Sequence, residues 1–404
     1  MERHRFPELL SALSLVLDLG EGAKTSHAWR IGLTSALLAE EMAKELKAQA
    51  FYAGLLHDIA AIGVDEEASH HFSRADSLAP AVLSHPTMGE EIVARIPGLE
   101  SAAVFIADHH ESFDGSGYPR RKHGDQIELG GQILRAAEEL DLYLQTVPAA
   151  SADEAASYLL GHSGETCSRE VLRALKSVLR DEVVEALRNP TVLEARIREL
   201  WTELPTVESF DLEGTLKVMA GVIDAKHAYT GGHSSRVAEY AAGLARESKL
   251  GPEVEEAARW GGLLHDAGKV AIPRKILDKP GRLNAQERAL VRTHPVLTGY
   301  ILDKLGDVHR IKEAACYHHE RFDGGGYPDG LRGDKTPLLG RVIAVADCFD
   351  ALTSARAYRK ALGAREAVAI IVSEAGRQFD PELARISGVL PELAIEIRTG
   401  TGGA

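Results

Sequence analysis

The amino-acid sequence carries one pattern of histidines and acidic residues twice, and this duplication limits the folds that the chain can adopt. The first half contains GLLHDIA around His57, and the second half contains GLLHDAG around His265. A His-Pro pair follows at nearly the same interval in both halves, and a His-His-Glu triplet then follows at an identical interval. The pairs begin at His85 and His294, and the triplets begin at His109 and His318. Each triplet precedes a glycine-rich stretch, DGSGYP or DGGGYP. The matching intervals indicate a duplication with a period of about 208 residues.

Two all-α domains are the expected result of this duplication. The period is far longer than a solenoid repeat, so each copy should fold around its own core. Ala, Leu, Glu and Arg dominate, and apolar residues recur at intervals of three and four, as in the run Val237–Leu244. No alternating pattern of β-strands persists, so each copy is predicted to be a helical bundle.

The domain boundaries are predicted from two prolines. Asn189-Pro190 and Leu204-Pro205 flank a charged segment, which is typical of a short helical connector. We therefore expect a first copy at 1–188, a helical connector at 189–206 and a second copy at 207–396.

Composition excludes several classes of protein. The chain has 404 residues, 45% of them apolar and 26% charged, with a formal charge of −14. This charge argues against a non-specific nucleic-acid binder. Cys167, Cys316 and Cys348 are an odd number without cluster spacing, which predicts neither disulfides nor a thiolate zinc site and is typical of the reducing cytoplasm. No run approaches the ~18 apolar residues of a membrane span.

The second copy offers a set of imidazoles and carboxylates that suits a metal centre. Such a nitrogen-rich set favours divalent Mn, Fe, Co, Ni or Zn over Ca or Mg. One ion needs three or four protein ligands, so seven predict two ions, with Asp266 central enough to bridge them. The predicted ligands are His233, His265, Asp266, His294, His318, His319 and Asp347.

Each of these residues taken alone is better explained by a structural role. A buried His bonded to a neighbouring acid is common without metal, and His294-Pro295 could simply begin a helix. The repetition decides against this explanation for the set. Glu138 follows His110 at the same interval as Asp347 follows His319, so the carboxylate recurs along with the histidines.

These motifs resemble the HD-GYP branch of the HD phosphohydrolases. The second copy shows TGGHSSRV at Thr230–Val237, HDAGK at His265–Lys269 and DCFDALTSARAYR at Asp347–Arg359. The resemblance implies tandem HD-type helical bundles and a phosphodiesterase that opens cyclic di-GMP to linear pGpG, sometimes on to GMP. It also implies two or three divalent ions. Fe and Mn are the first candidates for these ions, and Ni, Co and Zn are the other candidates. Some relatives carry a Glu for a third ion where this chain has Tyr229, which favours two.

Four residues are expected to act on the substrate. Asp266 and Lys269 are the predicted catalytic residues, and the Lys269 ammonium could reach a phosphate oxygen. Arg356 could clamp the second phosphate through its planar fork. Tyr327, beside the glycines of the GYP loop, offers a ring for stacking or a hydroxyl for a phosphate. The alternative for this loop is an ordinary turn that holds the Tyr against the core.

The first copy keeps similar ligands but loses the predicted phosphate-binding residues. Ala61 stands at the position of Lys269, and Val147 stands at that of Arg356. We therefore expect a degenerate copy that is regulatory or weakly active, with a second metal site of its own. The ligands of that site would be His27, His57, Asp58, His85, His109, His110 and Glu138.

The sequence leaves two further functions open. Within the same enzyme class, the substrate could be a mixed cyclic GMP-AMP, because the motif reads phosphate and metal rather than the base. Outside it, the chain could be a non-catalytic cyclic-dinucleotide receptor, or a module that docks diguanylate cyclases or other signalling proteins through the GYP loop. Nucleic acid and membrane are not expected as partners, and a homodimer is left open.

Overall fold

The computed structural model describes residues 26–61, 80–204, 212–225, 232–303, 308–355 and 360–399, with Pro7, Leu10, Ser11, Ser14, Leu15 and Asp18. Within these ranges the regular structure is helical apart from an isolated β-bridge between Ala375 and Phe379. The expected all-α fold is confirmed. Among the described residues, no helix is both long and apolar enough to cross a lipid bilayer.

Two compact units make up the chain, Met1–Thr215 and Leu216–Ala404. The helices of the first unit, α1 to α9, are His27–Met42, Lys47–Leu56, Pro80–Val93, Glu100–Asp108, Leu129–Thr146, Ala152–Gly161, Arg169–Val178, Asp181–Arg188 and Pro190–Glu203. Helix α10, Leu212–Ala225, contains the division. Helices α11 to α20 of the second unit are His233–Glu247, Pro252–Leu264, Arg274–Leu277, Ala285–Val291, His294–Asp303, His309–Cys316, Leu338–Thr353, Ala364–Ser373, Pro381–Ile386 and Leu390–Thr399.

Helix α9 covers most of the segment predicted as a connector, and it packs within the first unit. Asn189 caps its N-terminus by accepting from the backbone N–H groups of Thr191 and Val192, and Pro190 occupies the first turn. Leu193 and Ile197 on this helix are buried. The segment is therefore a packed helix of the first unit, and Pro205 lies outside the described residues.

Helices α1, α2, α4 and α5 surround the first copy's histidines, and α1 crosses α2 at very short range. A Cβ atom added at Gly54 would lie 2.6 Å from Cα of Gly32, a separation that only glycine allows. Phe51 and Leu55 beside it are buried. This close crossing places the end of α2, and so His57, against α1.

The second unit repeats this arrangement with α11, α12, α16 and α17. A Cβ atom at Gly262 would lie 2.8 Å from Cα of Ala238, so α11 and α12 also cross closely. Tyr240 of α11 packs edge-on against Phe349 of α17, with ring centroids 5.0 Å apart. This apolar cluster fixes the helix ends that carry the second copy's histidines.

Candidate metal centre

The His265–Asp266 pair lies where α12 ends and a short 3-10 helix, Ala267–Ala271, begins. Both side chains are buried. Thr298 of α15 fixes this turn, because its hydroxyl donates to the carbonyl oxygen of His265 at 3.1 Å and accepts from the backbone N–H of Gly268 at 2.9 Å. The end of α12 and the side of α15 therefore hold the pair in position.

The other predicted ligands come from four further places in the second unit. His233 and His294 are the first residues of α11 and α15. His318 and His319 come just after α16, and Asp347 lies within α17. In each of two groups, the ligand atoms lie within 4.8 Å of one another. The groups are Asp266, His294, His318 and His319, and His233, His265 and Asp347.

Asp266 faces the histidines with both of its oxygens. Its Oδ1 lies 3.3 Å from Nε2 of His294 and 3.9 Å from Nε2 of His318. Its Oδ2 lies 3.4 Å from Nε2 of His265 and 3.8 Å from Nε2 of His233. This is the arrangement that a carboxylate shared between two cations requires.

Backbone carbonyls orient three of the imidazoles in the same way. Nδ1 of His265, His294 and His318 each lies 2.7 Å from the carbonyl oxygen three residues earlier in the chain. A ring that donates from Nδ1 keeps a lone pair on Nε2 when it is neutral. The three Nε2 lone pairs are therefore directed toward Asp266, as metal ligands usually are.

A cation fits this centre because it would bind buried ligand atoms that lie close together. Among the described side chains, Nε2 of His265 and Oδ1 of Asp266 are buried without a hydrogen-bond partner. Leaving such a group unsatisfied costs about 1–3 kcal/mol, and more when it is charged. Imidazole nitrogens and carboxylate oxygens together are suitable donors for divalent transition metals. The residues present therefore fit a metal centre.

Burial and charge set the protonation of these imidazoles. Burial lowers the pKa of His294 to about 3 and that of His319 to about 4, and holds the pKa of His318 well below its usual range. Burial also acts to lower the pKa of His265, but the charges of Asp266 and Asp347 outweigh it and raise that pKa to about 9. Three rings are thus neutral and ready to bind at neutral pH, whereas a cation at His265 would displace a proton.

His233 is oriented by a carboxylate instead of a carbonyl. Its Nδ1 lies 2.8 Å from Oδ2 of Asp350, and its Nε2 lies 3.5 Å from Oδ1 of Asp347. Arg236 donates to both oxygens of Asp350, at 2.6 and 3.0 Å. The buried carboxylate fixes the orientation of the ring, while Arg236 neutralises the charge of the carboxylate.

A cleft of about 630 Å³ opens beside the two ligand groups. Lys269 and Tyr327 both line it, and the Lys269 ammonium pairs with Oδ2 of Asp266. The Tyr327 ring stacks on His319, with centroids 4.7 Å apart, and the guanidinium of Arg292 lies 4.9 Å above the same ring. Tyr327 thus packs against a predicted ligand, and Arg356 lies outside the described residues.

The GYP loop is held by the glutamate of the His-His-Glu triplet. Glu320 is buried, and its carboxylate accepts from the backbone N–H groups of Asp329, Gly330 and Leu331 at 2.7 to 3.0 Å. A Cβ atom at Gly326 would lie 2.4 Å from the backbone nitrogen of Arg321, so the loop can pass there only with glycine. The loop is therefore fixed to the same turn that carries His318 and His319.

The first copy has nearly the same geometry. Oδ2 of Asp58 lies 3.1 Å from Nε2 of His57, and Oδ1 lies 3.4 Å from Nε2 of His85 and 3.9 Å from Nε2 of His109. Nδ1 of each of these three rings bonds the carbonyl three residues earlier, at 2.6 to 2.9 Å. Two groups of ligand atoms again lie within 4.8 Å of one another. They are Asp58, His85, His109 and His110, and His27, His57 and Asp58.

The two copies differ in the carboxylate that α5 or α17 carries, and in the residues at the positions of Lys269 and Arg356. Glu138 lies 3.5 Å from Nε2 of His57 through its Oε1. Ala61 is buried at the position of Lys269, and Val147 ends α5 at the position of Arg356 with 39% of its surface exposed. Neither residue can hold a phosphate.

Comparison with known proteins agrees with this architecture. A profile of the HD domain family matches residues 14–170 and 217–383, which together are most of the chain. The chain belongs to the HD domain family. Each matched segment contains one of the two copies, so the predicted tandem of HD-type domains is confirmed.

Several HD domain relatives are phosphodiesterases of cyclic dinucleotides. The chain is 31% identical over 299 residues to 3′3′-cGAMP-specific phosphodiesterase 3 of Vibrio cholerae, which covers 73% of this chain and 64% of the relative. It is 30% identical over 366 residues to 3′3′-cGAMP-specific phosphodiesterase 1 of the same organism, and this match covers 86% of this chain and 83% of the relative. The response regulator RpfG of Xanthomonas campestris, a cyclic di-GMP phosphodiesterase, is 37% identical over 50% of this chain and 53% of its own.

A solved structure shares the fold. The crystal structure of a cyclic GMP-AMP specific phosphodiesterase of V. cholerae superposes with a TM-score of 0.64 at 23% identity, and covers 96% of this chain and 97% of that one. At this identity the likeness speaks for the HD domain fold alone.

Three residues that support the metal ligands or the GYP loop were not predicted from the sequence. Asp350 follows Asp347 by one helical turn, and Arg236 follows His233 by one turn, so a search for polar residues three apart would have found both. Glu320 belongs to the quoted triplet, but its place in the loop follows from contacts nine to eleven residues away.

Proposed function

We propose that the chain is a metal-dependent phosphodiesterase that opens 3′,3′-cyclic dinucleotides, with its active site in the second copy. The observation that carries the proposal is the Asp266 carboxylate, which faces His294 and His318 with Oδ1 and His265 and His233 with Oδ2, beside buried ligand atoms without a hydrogen-bond partner among the described residues. The cleft beside these groups and the HD domain relatives support a phosphodiester substrate.

Two divalent ions would be held by the two ligand groups, with Fe or Mn as first candidates. Ions in such a site activate water for attack and stabilise negative charge on phosphate oxygens. In the reaction, the water oxygen bonds to phosphorus and the bond from phosphorus to the 3′ oxygen breaks. The product is a linear dinucleotide with a 5′ phosphate and a free 3′ hydroxyl.

Lys269 is the residue that we assign to the reacting phosphate. Its ammonium pairs with Asp266 Oδ2 and lines the cleft, so it lies beside the ligand groups with 24% of its side chain exposed. From there it can donate to a phosphate oxygen and stabilise the charge that develops during attack. Tyr327 forms one wall of the same cleft, and Arg356 stays a predicted clamp for the second phosphate.

Gln378 is our candidate for reading the base. It lines the cleft, and its Oε1 accepts from Nη1 of Arg321 at 3.2 Å. No described residue accepts from the amide N–H groups of Gln378, so they can donate to a ligand. Guanine presents two neighbouring acceptors, O6 and N7, whereas adenine presents one acceptor beside a donor. A residue that offers donors favours guanine.

Both leading substrates contain guanine. The mixed cyclic GMP-AMP is our first candidate, because the relatives specific for it match across 73% and 86% of this chain. Cyclic di-GMP is the second, supported by the motif resemblance and by relatives that match 39% to 53% of the chain. For the first copy we propose a regulatory or weakly active role.

The test is a turnover assay on the full-length protein. The metal-free chain is reconstituted with Mn²⁺ or Fe²⁺ and given 3′3′-cyclic GMP-AMP, cyclic di-GMP and cyclic di-AMP, with products separated by chromatography. We expect linear products that disappear when a chelator is added. A folded, metal-loaded chain that opens none of the three would contradict the proposal.

A further inference from the structure

A buried arginine enters the ligand cluster of the first copy. Arg135 lies on α5, one turn before Glu138, with 7% of its surface exposed. Its Nη1 lies 3.4 Å from Nδ1 of His110 and 3.7 Å from Oε2 of Glu138, and its Nη2 lies 2.9 Å from Oε1 of Glu139. A guanidinium therefore sits beside two predicted metal ligands.

The second copy has no such cation at the corresponding place. The residue three positions before Asp347 is Ala344, which lines the cleft. Its methyl group has no charge and no hydrogen-bond donor. At this point the first copy has a guanidinium where the second has a methyl group. The cationic side chain of the second copy, Lys269, instead pairs with Asp266 from the side of the cleft, where the first copy has Ala61.

The contact with Arg135 changes what His110 can do. A guanidinium only donates, so Nδ1 of His110 must accept, and a neutral imidazole that accepts at Nδ1 carries its proton on Nε2. Oε2 of Glu138 lies 3.4 Å from the same Nδ1 but forms no hydrogen bond with any described residue. His85 and His109 donate from Nδ1 to carbonyls and keep Nε2 lone pairs. His110 is therefore poorly suited to bind a metal ion.

The remaining ligands divide unequally between the two groups. The group of Asp58, His85 and His109 loses His110 and faces the positive charge of Arg135. The group of His27, His57 and Asp58 keeps all its members, and Oε1 of Glu138 lies 3.5 Å from Nε2 of His57. Asp141 also orients His27, because Nδ1 of that ring lies 2.8 Å from its Oδ2.

We propose that Arg135 takes the place of one of the two cations in the first copy, so that this copy holds a single divalent ion on the side of His27 and His57. The inference depends on the proposed function only for the two ions of the second copy. The first copy would then be a one-metal site. Such a site cannot act as a two-metal hydrolase, although its other ligands match those of the second copy.

Metal content of the full-length chain tests this proposal. The His265→Ala and Asp266→Ala double variant serves as background, and we expect it to hold about one Mn²⁺ per chain, from the first copy. Adding Arg135→Ala to this background should raise the content to about two, because the lone pair of His110 is no longer held by the guanidinium and the positive charge is gone. Arg173→Ala, at an exposed position on α7, is the control and should leave the content unchanged.

The reverse change tests the same idea in the second copy. Ala344→Arg in the otherwise unaltered chain should lower its Mn²⁺ content by about one ion. Electron paramagnetic resonance provides a second measurement, because two neighbouring Mn²⁺ ions give an exchange-coupled signal. In the background we expect isolated ions with Arg135 present and coupled pairs with Arg135→Ala, and Arg135→Met replaces that variant if it does not fold.

The outcomes separate the two proposals. Two ions in the first copy with Arg135 present, or one ion both with and without it, would overturn the role of Arg135. A failure of the proposed function would appear elsewhere, as an unaltered chain that holds no more metal than the background.

Discussion

Oδ1 of Asp266 lies 3.3 Å from Nε2 of His294, while the other oxygen of the same carboxylate lies 3.4 Å from Nε2 of His265. One short side chain therefore faces two sets of imidazoles at once. Each of those imidazoles donates from its far nitrogen to a carbonyl, so the atoms that face the carboxylate are set up to bind cations.

Replacing Asp266 should affect both ions together. In Asp266→Ala, the carboxylate that faces the histidines of both groups is lost, so we expect the metal content of the second copy to fall and hydrolysis to vanish. Metal content by mass spectrometry and circular dichroism of the same sample give the result. Normal turnover in a folded, metal-depleted variant would contradict the proposed metal-dependent mechanism. Asp266→Asn is a second variant, which keeps the shape of the side chain but not its charge.

Lys269→Ala should separate metal binding from catalysis. Lys269 pairs with Asp266 but is not a ligand, so the metal content should be retained while turnover falls by about 10²-fold through loss of one charge-stabilising donor. Turnover is measured per bound metal ion. Loss of metal with unchanged turnover per ion would assign Lys269 a structural role instead.

Much of this centre could be predicted from the sequence because the duplication shows which histidines keep their spacing. The supporting residues could not be found in that way. Asp350 and Arg236 depend on which face of a helix meets its neighbour, and Thr298 meets His265 across 33 residues. Arg135 could not be predicted from the sequence, because its place one turn before Glu138 does not tell whether the side chain points toward the ligands. The packing of α5 decides that.

The Gln378 side chain should discriminate between bases. In Gln378→Leu, the donors to guanine are lost with little change in size, so kcat/KM for cyclic di-GMP and for cyclic GMP-AMP should fall by about tenfold or more. The inhibition constant of cyclic di-AMP serves as the internal control and should change little. Equal losses for all three ligands would indicate that Gln378 shapes the cleft without reading the base.

The GYP loop offers two neighbouring glycines with opposite expectations. In Gly326→Ala, the new Cβ would lie within 2.6 Å of backbone atoms of His319, Glu320 and Arg321, so the loop must shift and stability should fall by about 1–3 kcal/mol. In Gly325→Ala, the nearest atom is a side-chain oxygen of Asp323 at 3.2 Å, and little change is expected. Thermal unfolding and kcat/KM measure both variants. Unchanged stability and kcat/KM in Gly326→Ala would contradict this expectation and show that the loop that carries Tyr327 tolerates a shift.

The two copies can be set against each other, because they share most ligands but differ in the residues around the phosphate. If hydrolysis needs two ions together with Lys269 and Arg356, the double variant His265→Ala, Asp266→Ala should abolish it. The matched variant His57→Ala, Asp58→Ala should leave much of the activity. The first copy already lacks both cationic side chains, because Ala61 and Val147 stand at the positions of Lys269 and Arg356.

Each double variant is assayed as the full-length chain, with circular dichroism beside it, because loss of metal can unfold a helical domain and imitate a catalytic defect. A lysine restored at Ala61 alone should recover little in the first copy, since Val147 still leaves one phosphate without a clamp and Arg135 still stands among the ligands. If the folded first-copy variant is the inactive one, the active half has been assigned wrongly. If both folded variants are inactive, the two copies depend on each other for catalysis, and the first copy is then a required regulator rather than a dispensable one.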